Sequence, residues 1–204
     1  MGTGNPDKVR EYARLLTTLA LDVVFPTDLG LELDIVEDGA TFLANAQRKA
    51  RGYAAASGLP TLSEDAGLVV DALDGRPGVL SARYGGAGLS DSERNTVLLR
   101  ELEGRVERTA RFICVIALAR PGGRAGKVFV GQSDGRIARQ PRGDQGFGYD
   151  PVFVLPDGRT MAELAPQEKD TVSHRGRAVA EMLRSMDLRA WACAVRIKDG
   201  APVG

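Results

Sequence analysis

The sequence has few of the residues that mark disulfide-rich, membrane-spanning or exported proteins. It contains 2 cysteines in 204 residues, too few for a disulfide framework, so Cys114 and Cys193 are expected to be reduced thiols. The longest apolar run, Ile113 to Ala119, is far shorter than a membrane span of roughly 20 residues and is typical of a buried strand. Polar and glycine residues follow Met1 directly, so no signal peptide is expected. Together these features favour a cytoplasmic protein with no membrane partner.

The chain also has no surplus of either charge. Lys plus Arg and Asp plus Glu both number 27, whereas proteins that grip nucleic acid usually carry a basic excess. This balance argues against a nucleic-acid partner but is compatible with a small anionic ligand, which needs only a local cluster of cations. The 43% hydrophobic and 26% charged fractions are those of a globular domain with its own core.

Alternating helix-like and strand-like patterns predict an α/β fold. Capping residues place helix starts after Asn5 and at Thr41, and a capping box at Ser90 to Glu93 starts a third helix. A last helix is expected from Ser173 to about Met186, followed by a weakly patterned tail over 191–204. Strands are predicted at 21–25, at 61–64 and 68–73 around a bend at Ala66-Gly67, and at 109–119 and 127–130, which form a hairpin.

The segment TGNPDK at 3–8 combines small and polar residues with a helix start. The N-terminus of a helix exposes free N–H groups and partial positive charge, which attract phosphate. Thr3, Asn5 and Lys8 could add hydroxyl, amide and ammonium contacts to the same anion. The pattern is also compatible with a capped surface helix that carries a solvated lysine.

Two adjacent carboxylates, Glu64 and Asp65, lie in SEDAGL at a strand end. Successive strand residues face opposite sides, so only one of the two is expected to reach a cleft while the other supports it or faces solvent. Such a carboxylate can bind Mg²⁺ or accept a proton from an attacking water. The alternative is a pair of solvated surface acids.

Two further segments, GFGYDP at 146–151 and SHRG at 173–176, carry groups suited to a base. Glycines on both sides leave the ring of Phe147 free to stack on a base, although a core position for the ring is an equal alternative. His174, the only histidine, stands beside Arg175 at a helix start, with Lys169 nearby. This cationic group suits a phosphate or a purine carbonyl.

Taken in order, these segments resemble the inosine triphosphate pyrophosphatase family, the Ham1-like enzymes that act on non-standard purine nucleotides. TGNPDK, VEDGATFLANAQRKA at 36–50, SEDAGL, PGVLSARY at 77–84, GFGYDP and SHRG carry the resemblance, which covers roughly residues 2 to 186. It implies a mixed twisted sheet with flanking helices, two lobes around a nucleotide-binding cleft, a single domain over 1–190, a Mg²⁺ cofactor and a homodimer.

The resemblance also implies roles for individual residues. Asp65 would be the catalytic proton acceptor and a metal ligand, and Glu37 a second acid near the metal. Substrate-binding roles fall on a larger set: Thr3, Gly4, Asn5, Lys8 and Lys49 for the phosphates, Ala66 in SEDAGL, and Phe147, Gly148, Tyr149, Asp150, Lys169, His174 and Arg175 for the base.

The implied reaction is attack of water on the α-phosphorus of ITP, dITP or XTP, with pyrophosphate leaving. Hypoxanthine and xanthine present a carbonyl at C6, where adenine presents an amino group, so donors on His174 and Arg175 would be left unpaired by adenine. That penalty is roughly 1–3 kcal/mol per group. What rejects guanine is not evident from the residues.

The sequence departs from the family pattern at four places, one of which is Glu64 where Asp is more common. The family commonly has a short apolar strand before TGN, whereas this sequence begins at Met1, so we expect weaker placement of the phosphate loop. Ala44 replaces a common Glu and removes half of a capping box, and Ala66 replaces a common Ser. Two alternatives therefore stay open, namely a pyrophosphatase for other modified nucleotides and a nucleotide-binding regulator without turnover.

Overall fold

The computed structural model describes residues 1–19, 21–123 and 125–193, except for the side chains of Ala125 and Cys193. Within these residues, six α-helices and four strands follow one another in a mixed order. The helices are α1 (Pro6–Leu15), α2 (Phe42–Ser57), α3 (Asp91–Glu101), α4 (Pro166–Val172), α5 (His174–Ser185) and α6 (Leu188–Cys193). The strands are β1 (Thr61–Val70), β2 (Thr109–Ala119), β3 (Ala125–Ile137) and β4 (Phe153–Val154).

The four strands form one sheet in the order β1-β2-β3-β4, and each described pair is antiparallel. The predicted α/β class with helices flanking a sheet is confirmed. The predicted hairpin of 109–119 with 127–130 is also confirmed, with a second strand that continues to Ile137. None of the helices in the described part of the chain is both long and apolar enough to cross a bilayer.

The helix starts follow the predicted caps. Asn5 Oδ1 accepts hydrogen bonds from the backbone N–H groups of the first turn of α1, and Thr41 Oγ1 accepts one from Ala44. Since position 44 is alanine, nothing returns the second bond of a capping box to Thr41. At α3 both halves of the box between Ser90 and Glu93 are present. Local side-chain chemistry therefore defines these helix starts.

Two predicted features are wrong. Residues 22–25 form no strand, and the bend predicted at Ala66-Gly67 is absent because β1 runs straight through it. The pairing of Ala66 with Cys114 and of Gly67 with Ile113 holds the backbone extended. Gly67 is required for a different reason, since a Cβ there would lie 2.5 Å from the Gly78 carbonyl oxygen.

Three other boundaries differ from the prediction. The strand predicted at 68–73 ends at Val70 and passes into a short 3-10 helix, Asp71–Leu73. Helix α4 was not predicted, because its seven residues carry too little periodicity to identify it. The predicted tail over 191–204 lies mostly outside the described residues.

Helices pack on both faces of β2, whose side chains alternate between them. Val115, Ala117 and Ala119 face three alanines of α2. Cys114, Ile116 and Leu118 face a core that includes Tyr12 of α1 and Met182 of α5. The sheet is therefore covered by α2 on one side and by α1 and α5 on the other. This alternation decides where the polar residues of the neighbouring β1 point.

Candidate active site

The adjacent carboxylates of β1 point to opposite faces of the sheet. Glu64 is opposite Ile116 in the register, and Asp65 is opposite Val115. Directly paired residues of antiparallel strands share a face. Glu64 therefore lies on the side of α1 and α5, and Asp65 on the side of α2. The prediction that the two acids point to opposite sides of the strand, and so do not share one site equally, agrees with this geometry.

Glu64 is the centre of a buried polar network. Its carboxylate accepts hydrogen bonds from Arg175 Nε (3.0 Å) and Nη2 (2.8 Å), Tyr12 Oη (2.8 Å) and Cys114 Sγ (3.0 Å), and Lys8 Nζ lies 3.0 Å away. Burial alone would raise the pKa of Glu64, but the charges of Arg175 and Lys8 outweigh it and hold that pKa well below its usual range. Glu64 is thus ionised and is bonded through both carboxylate oxygens within the network.

Glu11 of α1 links this network to the predicted base-binding segment. Its carboxylate bonds Arg175 Nη1 on one oxygen and Lys169 Nζ at 2.6 Å on the other. Lys169 also donates to Asp150, whose carboxylate accepts the Phe147 N–H at 2.9 Å. Residues far apart in sequence are thereby joined into one ion-paired cluster. Glu11 follows TGNPDK closely, but nothing in the sequence predicts that its side chain contacts residues 169 and 175.

Asp65 has a separate set of partners on the α2 side. Asn45 Nδ2 donates to its carboxylate at 3.0 Å, and Lys49 Nζ lies 3.5 Å away. The Lys49 ammonium also bonds Glu37 at 2.7 Å. Burial raises the pKa of Asp65 above its ordinary value, against the opposing effects of Lys49 and Asn45. A carboxylate with a raised pKa is a better proton acceptor, so Asp65 has the environment of a general base.

Asp65 and Glu37 are the two carboxylates predicted to hold a divalent cation. The ammonium of Lys49 stands between them, at 3.5 Å from one carboxylate and 2.7 Å from the other, so both acids converge on one cationic point. Within the described ranges, no group of three or more His, Cys, Asp or Glu side chains could enclose a metal by itself. Mg²⁺ is commonly held by one or two carboxylates together with substrate phosphates and water, so these two residues fit it.

A cleft of about 250 Å³ lies next to the Glu64 network, where Ala66 and Gly67 of β1 both line it. Ten of the residues predicted to bind substrate line it, whereas Thr3, Gly4, Lys49, Asp65 and Glu37 do not. The ten are Asn5, Lys8, Ala66, Phe147, Gly148, Tyr149, Asp150, Lys169, His174 and Arg175.

One end of the cleft is suited to an anion. Asn5 and Lys8 line it at the start of α1, where the side-chain oxygen of Asn5 caps the helix and its amide nitrogen has no partner among the described residues. Burial alone would lower the pKa of Lys8, but Glu64 raises it above its usual value, so the ammonium stays charged. Thr3 is buried and its hydroxyl accepts the Asn5 N–H, which shapes this turn.

The other end presents an aromatic ring beside two cations. The Phe147 ring is partly exposed, with Lys169 Nζ 5.1 Å and Arg175 Cζ 5.6 Å from its centroid. Of the two alternatives left open by the sequence, a core position and an accessible ring, the structure shows the accessible one. The His174 ring stacks on Phe112 with centroids 4.7 Å apart, and its Nδ1 is buried without a hydrogen-bond partner in the protein. A ligand or water must satisfy that nitrogen.

His174 is expected to remain neutral across the physiological range. Burial and the nearby charge of Arg175 hold the pKa of His174 well below its ordinary value of 6.5. We expect the His174 ring signals in NMR to stay constant from about pH 8 to about pH 5, while the urea-unfolded protein titrates near pH 6.5. In this pH range only the imidazole of the unfolded chain binds a proton. The stability associated with the neutral, buried His174 is therefore fully present above about pH 6.5 and is lost as pH falls. A folded-state midpoint near 6.5 would contradict this environment.

Several cleft residues were not predicted from the sequence. Ser81, Asp91, Arg94 and Phe112 also line the cleft. Asp91 lies in the first turn of α3, within the capping-box segment that the sequence analysis identified for structural reasons only. Nothing in local sequence shows that α3 packs beside the predicted base-binding segment at 146–151, so these residues emerge only from the tertiary structure.

Comparison with known proteins agrees with this arrangement. Residues 1–185 match the profile of the Ham1 family. The chain belongs to this family. A HAM1 protein from Coxiella burnetii has a similar structure, with a TM-score of 0.82 at 42% identity over 90% of this chain and 95% of its own.

Relatives in the Ham1 family carry a more specific name. A protein named dITP/XTP pyrophosphatase from Geobacillus kaustophilus (strain HTA426) is 48% identical over 185 residues, covering 89% of this chain and 90% of its own length. One of the same name from Yersinia pseudotuberculosis serotype I (strain IP32953) is 49% identical over 190 residues, covering 91% and 96%. The predicted resemblance is therefore confirmed, and both relatives are matched over nearly their whole length.

Proposed function

We propose that this Ham1-family chain hydrolyses dITP, XTP and ITP to the nucleoside monophosphate and pyrophosphate. The observation that carries the proposal is the unpartnered Nδ1 of a neutral His174 in a cleft that also presents the Phe147 ring and the Lys8 ammonium. Such a cleft offers a stacking surface and hydrogen-bonding groups at one end and positive charge at the other, as a purine nucleotide requires. The name of the relatives, dITP/XTP pyrophosphatase, supports dITP and XTP as substrates.

The base would be recognised by its C6 carbonyl. A neutral imidazole can carry its proton on either nitrogen, so His174 can donate to a carbonyl oxygen. Arg175 commits three N–H groups to Glu11 and Glu64. Two of its five donors then remain for a ligand. Adenine would leave these donors unpaired, at a penalty of roughly 1–3 kcal/mol for each group. The Glu11 and Glu64 carboxylates thus limit the number of Arg175 N–H groups available to a ligand and orient the guanidinium.

The reaction would need a proton acceptor near the α-phosphate. Asp65 is the proposed acceptor from the attacking water, oriented by the Asn45 amide and the Lys49 ammonium. Lys8 and the first turn of α1 would hold the phosphates in line for the attack. A Mg²⁺ held by Asp65 and Glu37 would supply neutralisation of phosphate charge.

The test is pyrophosphate release from dITP, XTP, ITP, dGTP and ATP at matched concentrations, with Mg²⁺ and with EDTA. We expect rapid release from the first three and at least about a hundredfold lower kcat/KM for ATP, since two unpaired donors correspond to roughly that factor. EDTA should abolish release, and Mn²⁺ or Ca²⁺ in place of Mg²⁺ would show which cation the site prefers. Binding without release would favour a nucleotide-binding regulator, and a preference for other modified nucleotides would favour the alternative pyrophosphatase.

We further propose that the chain acts in the cytoplasm as a homodimer, with residues 1–190 as one catalytic domain. Support for self-association is limited to the resemblance and to apolar side chains on the surface, such as Val36, Val106 and Val130, which are 60%, 90% and 56% exposed. Light scattering on the active sample should give twice the 21.7 kDa mass of the chain. A mass of one chain in a fully active sample would rule out the dimer as a requirement.

A further inference from the structure

Helix α3 holds the base-binding segment at a single residue, Gly148. The Gly148 N–H donates to Asp91 Oδ2 at 2.6 Å, and the Gly148 carbonyl oxygen accepts from Asn95 Nδ2 at 2.9 Å. The two side chains are four residues apart, so they lie on one face of α3. One residue of the loop is therefore bonded on both its donor and its acceptor side by one helix.

Gly148 is also the residue between the two aromatic side chains of this segment. Its φ of +63° is in the left-handed region, which reverses the chain between Phe147 and Tyr149. The Tyr149 hydroxyl donates to the Ser81 carbonyl oxygen at 2.9 Å, and this ring is buried. The rings therefore diverge at Gly148, with Tyr149 in the core and Phe147 in the cleft.

The helix that makes these bonds is itself fixed. Its first turn is closed by the capping box of Ser90 and Glu93, and Leu98 is fully buried in the core. Asn95 is 4% exposed and cannot rearrange without losing its bond to the loop. Asp91 is more exposed and also lies 3.3 Å from Arg94, which lines the same cleft. Rigid support behind a binding loop is what fixes the position of its side chains.

We infer that Asp91 and Asn95 are positioning residues that set the Phe147 ring for stacking on the purine. This inference rests on the proposed function, because it deepens the role assigned to that ring. The Phe147 N–H also donates to Asp150, the Asp150 N–H donates back to the Phe147 carbonyl oxygen, and the Tyr149 hydroxyl donates to Ser81. None of these bonds ties the loop to α3. Among the described residues, the bonds from Asp91 and Asn95 are the only hydrogen bonds between residues 146–148 and α3. Without them, no hydrogen bond joins this part of the loop to the helix.

The first experiment measures the hydrogen bonding between α3 and Gly148 itself, without any substrate. Hydrogen exchange of the Gly148 amide, followed by NMR, is expected to be at least about tenfold faster in Asp91→Ala than in the parent protein, because its only acceptor is removed. In Asp91→Asn the side-chain oxygen still accepts this bond, so protection should be retained. Ser92→Ala, in the same helix turn but without a side-chain bond to the loop, is the matched control.

The second experiment measures the consequence for substrate. Asp91→Ala is expected to raise the KM for dITP about tenfold with kcat changed less than about threefold, since a stacking contact present in both ground and transition states affects binding. Asp91→Asn should restore most of the affinity. In a Phe147→Ala background, Asp91→Ala should have little further effect, because the ring that it positions is gone. Asn95→Ala tests the second hydrogen bond, from Asn95 Nδ2 to the Gly148 carbonyl oxygen, in the same assays.

The outcomes separate this inference from the proposed function. If the parent protein hydrolyses dITP but Asp91→Ala has unchanged KM, or has an effect that is fully additive with Phe147→Ala, the inference is wrong and the function stands. Equal loss in Asp91→Ala and Ser92→Ala, with a lowered Tm in both, would reduce Asp91 to a helix-stability residue. If the parent protein neither hydrolyses nor binds dITP, the proposed function and the inference both fail.

Discussion

Asp65→Asn is expected to lower kcat for dITP by at least about a hundredfold, within the range that general-base catalysis contributes. The amide cannot accept a proton from water, whereas its oxygen can still accept the hydrogen bond from Asn45 that the carboxylate accepts at 3.0 Å. The fold should survive, because burial disfavours the charged form of Asp65 and raises its pKa. Steady-state kinetics with Mg²⁺ and a thermal melt of the same sample check both parts.

Asp134→Asn is the matched control for this prediction. Asp134 is an exposed carboxylate on β3 whose recorded side-chain contact is with Gln132, and it does not line the cleft. We expect this variant to keep full activity and stability. Turnover by Asp65→Asn close to that of Asp134→Asn would remove Asp65 from the catalytic role, and a large fall in Tm would show that its role is structural.

Glu64→Gln is expected to reduce the free energy of unfolding by about 3–5 kcal/mol, the usual cost of breaking a buried ion pair on one side. The carboxylate accepts two hydrogen bonds from Arg175, whose side chain is 2% exposed, and lies 3.0 Å from Lys8. A neutral amide would leave both buried cations undercompensated. Urea unfolding followed by circular dichroism gives the change directly.

The same carboxylate is expected to control acid stability. The pKa of Glu64 is held well below its usual range in the folded protein, so the unfolded chain takes up the proton first. The stabilisation is therefore present above about pH 4.3 and is lost as pH falls toward the folded-state pKa. Glu64→Gln should show a shallower loss of stability below that pH. Glu103→Gln, at an exposed position without a recorded side-chain contact, should match the parent protein at all pH values.

A double variant distinguishes lost charge balance from lost packing. In Glu64→Gln combined with Arg175→Met, the excess buried positive charge is smaller, so we expect part of the stability to return. Additive losses would instead show that the two residues stabilise the fold independently. Because Arg175 is also proposed to contact the base, this double variant is informative for stability and not for activity.

Local chemistry explains which features could be predicted from the sequence. The helix starts at Asn5, Thr41, Ser90 and Ser173 depend on side chains within three residues of the backbone groups they cap, and all four are observed. The hairpin of 109–119 with the following strand is similarly a short-range feature. The bend predicted at Gly67 was wrong because pairing with β2, nearly fifty residues away in sequence, holds that backbone extended.

The amino-acid sequence alone was enough to identify the family, the helix caps and the segments that carry the polar residues. The structure decided how those residues combine. Strand alternation separates Glu64 from Asp65, and packing of α1, α4 and α5 joins Glu11 to Lys169 and Arg175. Only the tertiary contact between α3 and residue 148 brings Asp91 and Asn95 to the base-binding segment. Caps and strand patterns depend on neighbours along the chain, whereas ion pairs between residues more than 150 positions apart depend on how the elements pack.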